Sequence, residues 1–163
     1  MFKTAFVLSL ALLAGSAMAT PKIGDQANFS LTISKAGQTI PGAISFELTQ
    51  FDASRNQFLQ HQVTQVQGGQ TQTQDNWVSA NDMLTDEKID AVIANCVRAG
   101  GQNQSIQVPA GTYPTCALPI NGNDGTKGVV WVAKVPLGLV RFDSTNNDGV
   151  TVSALLASFR AGN

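Results

Sequence analysis

The feature that most constrains the fold is a strict alternation of apolar and polar residues in segments 28–33 and 44–49. Successive side chains of a β-strand point to opposite faces, so each segment predicts a strand with one buried face. The apolar residues that would share this face are Phe29, Leu31, Ile33, Ile44, Phe46 and Leu48. The chain is therefore expected to build a sheet that is apolar on one side and polar on the other.

Further segments of β-type composition follow, and turns rich in Gly, Asn, Asp and Pro separate them. These segments cover residues 57–66, 70–77, 105–108, 113–120, 129–133, 135–142 and 150–159. About eight to ten strands in series, with one helix inserted, predict an α+β fold with a mainly antiparallel sheet. Pro136 cannot donate to a strand ladder, so it marks a strand start or a bulge, and Gly138 permits a bend or a close backbone approach; we expect these features to curve the sheet.

Segment 85–99 has the period of a helix rather than that of a strand. Its apolar residues fall at steps i, i+3, i+4, i+7 and i+8, which form one stripe on a helix surface. They are Ile89, Val92, Ile93, Cys96 and Val97. Thr85 or Asp82 can cap the start of the helix, and Gly100 and Gly101 end it. The sequence predicts this as the one substantial helix, and its amphipathic pattern predicts that it packs on the sheet.

Residues 1–19 have the three parts of a secretory leader. Lys3 supplies the positive charge, segment 5–13 is apolar apart from one serine, and small residues precede an expected cleavage after Ala19. The apolar run is much shorter than the roughly 20 residues that cross a bilayer. We therefore expect a signal peptide, one domain at residues 20–163, a periplasmic or secreted location, and no stable membrane insertion after cleavage.

A low content of charge limits the possible partners. Only 13% of the residues are charged, whereas about 25% is usual for soluble domains. Removal of Lys3 with the leader leaves nine basic groups (10 − 1) against eleven acidic groups, a net charge of −2. Nucleic-acid binding needs clustered Lys and Arg, and here these residues are scattered singly. The sequence predicts no nucleic-acid partner and a polar surface built largely from Gln, Asn, Ser and Thr.

Cys96 and Cys116 are the two cysteines of the chain. In an exported protein, an even pair of cysteines is most simply a disulfide, which here would join the end of the helix to a strand. The alternative is a redox pair, but such pairs usually have Cys-x-x-Cys spacing. We therefore predict a structural Cys96–Cys116 disulfide.

Few residues in the sequence can carry catalysis. His61 is the single histidine, and its position in a polar strand favours a solvated surface residue. A disulfide leaves no Cys/His set for zinc, and neither a Gly-x-Ser-x-Gly elbow nor a phosphate-binding glycine loop occurs. The sequence therefore predicts no catalytic residues, no metal site, no cofactor and no enzyme activity. A hydrolase that uses His61 or paired carboxylates stays open as a third hypothesis.

Eight glutamines lie between Gln57 and Gln74. A prion-like tract is one interpretation of this bias. The strand pattern favours the other interpretation, in which the amides form solvated faces of two neighbouring strands, with the second strand at a sheet edge. An exposed polar edge can also pair with another chain.

The apolar faces leave two hypotheses for function open. A curved sheet with a helix across its open face either packs solid or leaves a cavity for an apolar or lipidic ligand. The candidate lining residues are Phe29, Phe46, Leu48, Ile89, Val92, Ile93 and Trp131. The leading hypothesis is a non-enzymatic domain that binds such a ligand or another component of the cell envelope. The alternative is a structural or interaction protein with a solid core and no small-molecule ligand; the sequence leaves its oligomeric state open.

Segments 108–116 and 130–140 carry a recognisable pattern. The first reads Val-Pro-Ala-Gly-Thr-Tyr-Pro-Thr-Cys, and the second contains a Val-Trp-Val strand followed by Val-Pro-Leu-Gly-Leu-Val. This pattern resembles that of small exported bacterial β-rich proteins. It is similar, more distantly, to the half-barrel domains of the periplasmic lipoprotein carriers. The resemblance implies a carrier-like fold, in which a half-barrel-like curved sheet packs against the helix.

Overall fold

In a computed structural model that describes residues 21–163, the chain forms one open, curved antiparallel sheet of nine strands and one helix. The elements are β1 (Gln26–Lys35), β2 (Gln38–Asp52), β3 (Gln57–Val66), β4 (Gln72–Ser79), α1 (Asp86–Ala94), β5 (Gln102–Val108), β6 (Gly111–Asn121), β7 (Lys127–Val132), β8 (Leu139–Thr145) and β9 (Thr151–Arg160). The predicted α+β half-barrel-like class is confirmed. The predicted leader, residues 1–19, lies outside the described residues.

The strands follow the order β4-β3-β2-β1-β9-β8-β7-β6-β5 across the sheet. The first and last strands of the described chain therefore pair in the middle, and β4 and β5 form the two edges. The glutamine-rich strands β3 and β4 are neighbours, and β4 lies at an edge as predicted. Within residues 21–163, no helix has both the length and the hydropathy needed to cross a membrane.

One row of directly opposed residues shows which side chains share a face of the sheet. Opposed residues of antiparallel strands point to the same side. From β2 to β6, the row consists of Gly42, Leu31, Ala154, Phe142, Val130 and Leu118. Because Leu118 packs against α1, we call this side the helix face and the other side the outer face.

α1 and the segment before it cover only part of the helix face. Ile89 is fully buried and packs against Val132 of β7. Met83, just before α1, packs against Leu48 and Phe58 at the far end of β2 and β3. Outside these two clusters, Phe29, Leu31 and Ala154 of the helix face are buried in the main core. Their neighbours Ile44, Phe46 and Phe142 are only half-buried, and this area holds the candidate site.

α1 is shorter than the sequence predicted. Thr85 caps its start, since its hydroxyl accepts a hydrogen bond from the backbone N–H of Lys88 at 3.3 Å. The helix ends early because the Asn95 side chain binds a backbone carbonyl of the last turn at 2.8 Å, and turns continue from there. Val97 is 73% exposed, so the prediction that it belongs to the buried stripe is wrong.

The predicted Cys96–Cys116 disulfide is confirmed. It joins the turn after α1 to β6, and both cysteines are fully buried. A second link holds α1 over the sheet, since the Lys134 ammonium group lies 2.7 Å from the carboxylate of Asp90. The covered part of the helix face is therefore fixed from two sides of the helix.

The predicted strand 135–142 is wrong in its first half. Residues 133–138 form a loop between β7 and β8, with positive φ angles of 65° at Leu137 and 75° at Gly138. A Cβ atom at Gly138 would lie 2.9 Å from the Cβ atom of Leu84, so only glycine fits there. The loop is apolar because it is buried: Val135 is fully inaccessible, and Leu137 packs beside the Leu48 cluster.

Bulges, rather than Pro136 and Gly138, interrupt the ladder where the sheet bends. The register shifts between Asn28 and Phe29, between Leu48 and Gln50, and between Trp131 and Val132. A bulge adds a residue to one strand and increases its local twist and bend. Pro136 and Gly138 lie in the loop before β8, outside the ladder and apart from these bulges, and at Gly138 it is the expected close backbone approach, to Leu84, that is observed.

Candidate functional site

An apolar cleft lies on the helix face beside the area that α1 covers. It has a volume of about 90 Å³ and is lined by Phe29, Ile44, Phe46, Leu139, Phe142 and Ala154. All six side chains are apolar, and Leu139 also belongs to the cluster around α1. The rings of Phe29 and Phe46 meet edge to face, with their centroids 6.1 Å apart. The cleft therefore offers a ligand dispersion and hydrophobic contacts, without a polar group to orient it.

Ala154 gives the cleft its space. On β9 it lies directly opposite Phe142 on β8 and Leu31 on β1, and a methyl group leaves a gap between these larger side chains. Phe142, Leu139 and Ala154 were not predicted as lining residues, and Ile44 was predicted on the buried face without a role in a site. The alternation of Phe142 with its polar neighbours was a usable signal, whereas the position of Leu139 depends on the preceding loop.

The predicted site residues do not line one cavity. Phe29 and Phe46 line the cleft, as proposed from the alternation. Leu48 is fully buried in a separate cluster with Met83. The three helix residues form another cluster with Val132, and they are Ile89, Val92 and Ile93. These four residues hold α1 and the preceding segment on the sheet.

Trp131 lies on the outer face, one residue after Val130 of the helix-face row. It is directly opposite Ala117 and Arg141. The Arg141 guanidinium group lies 4.6 Å from the ring centroid in a cation–π contact, and the Asp143 carboxylate binds the same guanidinium at 2.5 Å. Trp131 also borders a hollow of about 280 Å³ on that face. The register therefore separates Trp131 from the cleft by the thickness of the sheet.

The helix face changes from apolar to amide-bearing on β3 and β4. Gln62 lies directly opposite Phe46 of the cleft, and Gln74 lies opposite Gln62. By the same register, the amide side chains on this face are Gln60, Gln62, Gln72, Gln74 and Asn76, which we call the amide row. Gln72 and Gln74 are exposed and the other three are half-buried. The glutamines thus do form accessible faces of two neighbouring strands, as the strand pattern predicted.

The ionisable side chains of β3 and β4 lie on the outer face, together with Glu47 of β2. Glu47, His61 and Asp75 form one row across β2, β3 and β4. Nδ1 of His61 lies 2.6 Å from an Asp75 carboxylate oxygen, and Arg160 donates to Glu47 at 3.0 Å. Within residues 21–163, no three potential metal ligands among His, Cys, Asp and Glu come together. His61, the single histidine, belongs to the outer-face row and so lies on the opposite side of the sheet from the cleft.

Two groups with perturbed pKa values also lie away from the cleft. A hydrogen bond to Asp90 of α1 raises the pKa of the Lys134 ammonium group. Burial raises the pKa of Tyr113, whose hydroxyl donates to the Ala110 carbonyl at 3.0 Å. Both groups serve structural contacts, and neither lines the cleft.

No protein-family model matches the chain, and a search of curated proteins finds no match. Among solved structures, the chain is similar to an exported protein with a YmcC-like fold from Bacteroides fragilis. The two sequences are 10% identical, the match covers 88% of this chain and 99% of that chain, and the TM-score is 0.54. At this low identity, the likeness shows a shared fold.

Two further structures show weaker similarity. MucB of Pseudomonas aeruginosa, solved in complex with MucA, is 11% identical, with a TM-score of 0.43; the match covers 85% of this chain and 52% of that chain. A LolA-superfamily protein from Nitrosomonas europaea is 12% identical, with a TM-score of 0.27; the match covers 91% of this chain and 90% of that chain. This chain thus spans about half of the MucB chain, and neither score supports an argument about function.

Proposed function

We propose that this protein is an exported, non-enzymatic half-barrel domain that binds an apolar or lipidic chain on its helix face. The observation that carries the proposal is the cleft between Phe29, Phe46 and Phe142, which is apolar on every side. Ligand sites are concave and predominantly apolar. The cleft lies where α1 leaves the sheet uncovered, so a chain can reach it without displacing the helix.

The size of the cleft sets how a chain would lie. Its volume of about 90 Å³ equals that of about three molecules of liquid water, so it holds only a short part of a chain. Half-buried apolar side chains on the same face extend the path, and they include Ile33, Val66 and Val152. Each methylene removed from water contributes about 0.8 kcal/mol, so six buried methylenes contribute about 5 kcal/mol.

Two observations support the other parts of the proposal. The leader pattern in residues 1–19 and the Cys96–Cys116 disulfide both favour a periplasmic or secreted location, where disulfides persist. None of the six side chains that line the cleft can donate or accept a proton, and His61 lies on the outer face. Binding without chemistry is therefore the function that this cleft fits.

Native mass spectrometry of the exported protein, purified without detergent, tests the proposal. We expect a mass above that of the denatured chain, and we expect an organic extract to contain the difference as lipid. Ile44→Asp should remove the extra mass, because an unpaired carboxylate beside an apolar chain is costly to desolvate. Ser45→Asp is the matched control, since Ser45 is half-buried on the same strand but points to the outer face.

A second variant avoids the introduction of charge. Ala154→Val fills the gap opposite Phe142 and should also lower retention, while a thermal melt checks that the fold is kept. If the ligand is lost in purification, laurate is added to the protein and its uptake is measured in the same way. A wild-type protein that carries no extra mass and takes up no laurate contradicts the proposal, and so does equal retention by Ile44→Asp and Ser45→Asp.

The edge strand β4 supports a second candidate function, an interaction module with a solid core. Strand Gln72–Ser79 contains no Lys, Arg or Pro, which are residues that commonly protect a sheet edge from pairing. Trp77 on this strand is 43% exposed. A bare dimer in the mass spectrum that Thr73→Lys dissociates would favour this candidate over the ligand-binding one.

A further inference from the structure

The amide row lies directly beside the cleft on the same face of the sheet. Gln62 is opposite Phe46, and Thr64 is opposite Ile44, so each is one strand away from a lining residue. Opposed residues of antiparallel strands have Cα atoms about 5 Å apart. A molecule whose apolar part occupies the cleft therefore places its next few atoms over β3 and β4.

The amides have hydrogen-bonding capacity beyond their contacts with each other. Gln62 donates to Thr64 at 3.2 Å, and Gln74 donates to Asn76 at 3.2 Å. A side-chain amide carries two donor hydrogens and an oxygen with two lone pairs, so each of these bonds uses a small part of that capacity. Each amide of the row offers both donors and an acceptor, which suits hydroxyl groups, because a hydroxyl both donates and accepts.

Charge is nearly absent from this part of the helix face. Across β1 to β4, Lys35 at the end of β1 is the one charged residue that the register places on it. Glu47, His61 and Asp75 of these strands form a row on the outer face. On these four strands, Lys35 is thus the one charged neighbour that an ionic headgroup above the amide row would have on its own face, and the headgroup would have to lose part of its hydration there. Lys88 of α1, which also lies near this face, already donates to the carbonyl oxygens of Asn81 and Met83.

We propose that the amide row binds the neutral, hydroxyl-bearing headgroup of an amphiphile, such as a glycolipid, whose apolar chain lies in the cleft. This inference rests on the proposed function and adds the class of headgroup. The apolar cleft holds the chain without orienting it, and the amides of β3 and β4 select the head by hydrogen bonds. An anionic or cationic head on the same chain gains no opposite charge from the amide row.

Calorimetric titration of the delipidated full-length mature protein with chain-matched probes tests this inference. The probes are dodecyl maltoside, dodecyl phosphate and dodecyltrimethylammonium, each below its micelle concentration, and free maltose is added to separate a lipid head from a free sugar. We expect dodecyl maltoside to bind roughly tenfold more tightly than either ionic probe, a difference that one or two net hydrogen bonds supply. Maltose without a chain should not bind at these concentrations.

Two matched double variants separate the amide row from the rest of the sheet. Gln62→Leu with Gln74→Leu should weaken dodecyl maltoside roughly tenfold and leave dodecyl phosphate unchanged. Gln65→Leu with Thr73→Val changes the outer face of the same two strands and should affect neither probe. Gln62→Lys should transfer the preference to dodecyl phosphate, because it places a cation beside the cleft.

The outcomes distinguish this inference from the proposed function beneath it. Equal affinity for the three dodecyl probes, or an unchanged affinity for dodecyl maltoside in Gln62→Leu with Gln74→Leu, overturns the role of the amide row and leaves the cleft as a chain site. Binding of maltose as tight as that of dodecyl maltoside overturns the amphiphile as the ligand. Failure of all three dodecyl probes to bind overturns both proposals.

Discussion

Loss of the Cys96–Cys116 crosslink should cost this domain a large share of its stability. The bond closes a loop with a sequence separation of 20. For such a loop the chain-entropy relation gives about 11 cal/mol/K, or about 3 kcal/mol at 25 °C. Domains of this kind have a free energy of unfolding of about 5–15 kcal/mol. The reduced protein should therefore remain folded but unfold at a clearly lower denaturant concentration.

Urea denaturation with and without a reductant measures this cost. A change of about 3 kcal/mol corresponds to a midpoint shift of about 1–3 M, since urea m-values of small proteins are about 1–3 kcal/mol/M. Reduction of the wild-type protein keeps both side chains in place, so it isolates the crosslink from the loss of buried volume. Cys96→Ala with Cys116→Ala is the control, because its midpoint must be low and must not respond to reductant.

One result would refute the entropic reasoning. This result is an identical urea midpoint for the oxidised and the fully reduced wild-type protein, with reduction verified by mass. That outcome would mean that residues 96–116 are already held close together in the unfolded chain, so the crosslink removes little freedom. A shift with an altered m-value would instead indicate a change in the compactness of the denatured state.

Two further predictions concern buried and exposed carboxylates. The Asp25 side chain is 1% exposed and accepts from the backbone N–H groups of Lys22 at 2.8 Å and Gly162 at 2.7 Å. Asp25→Ala should lower the free energy of unfolding by about 1–3 kcal/mol in urea denaturation, and an unchanged midpoint would contradict this. The Ser54 hydroxyl, which donates to Asp52 at 2.6 Å, holds the pKa of Asp52 below its ordinary value. The stabilisation from Asp52 is therefore present above the ordinary carboxyl pKa and is lost as pH falls through the lowered pKa. Ser54→Ala should raise the Asp52 pKa towards its ordinary value in an NMR titration of the carboxyl carbons, and an unmoved midpoint would show that this hydroxyl is not the cause.

The two-residue period in the sequence predicted the strands and their buried faces well. Phe29 and Phe46 were placed on the apolar side of β1 and β2, and both line the cleft. This worked because β1 and β2 are apolar on the helix face and polar on the outer face. On these two strands, the alternation of apolar and polar residues was therefore enough to predict which side chains face the helix side of the sheet. The disulfide was equally predictable, because a chain with two cysteines has only one possible intramolecular pairing.

Alternation could not tell a strand from a buried loop at residues 133–138. Val135 and Leu137 are apolar because they pack beneath other segments, and a short apolar run has the same composition in both cases. The helix pattern failed in a similar way at Val97, which has the correct spacing but lies after the capping side chain of Asn95. In each case, local backbone geometry overrode hydrophobic periodicity.

The position of Trp131 shows why the candidate site was only partly predictable. Its strand is apolar on both sides, since Val130 and Val132 point to the helix face and Trp131 points to the outer face beneath Arg141. A strand without alternation gives no sign of which side meets the helix. The answer depends on register with the neighbouring strands, and register is a property of the assembled sheet.

The register also explains how the amide side chains and the ionisable side chains of β3 and β4 come to lie on opposite faces of the sheet. On β3 the amides of Gln60 and Gln62 flank His61, and on β4 those of Gln74 and Asn76 flank Asp75. The sequence therefore already separates amides from ionisable groups by one residue. The register adds the decisive step, because it aligns these amides with Phe46 of the cleft rather than with Glu47. The glutamine bias is then accounted for by position: uncharged amides border the apolar cleft, and charge is kept on the opposite face, where water solvates it.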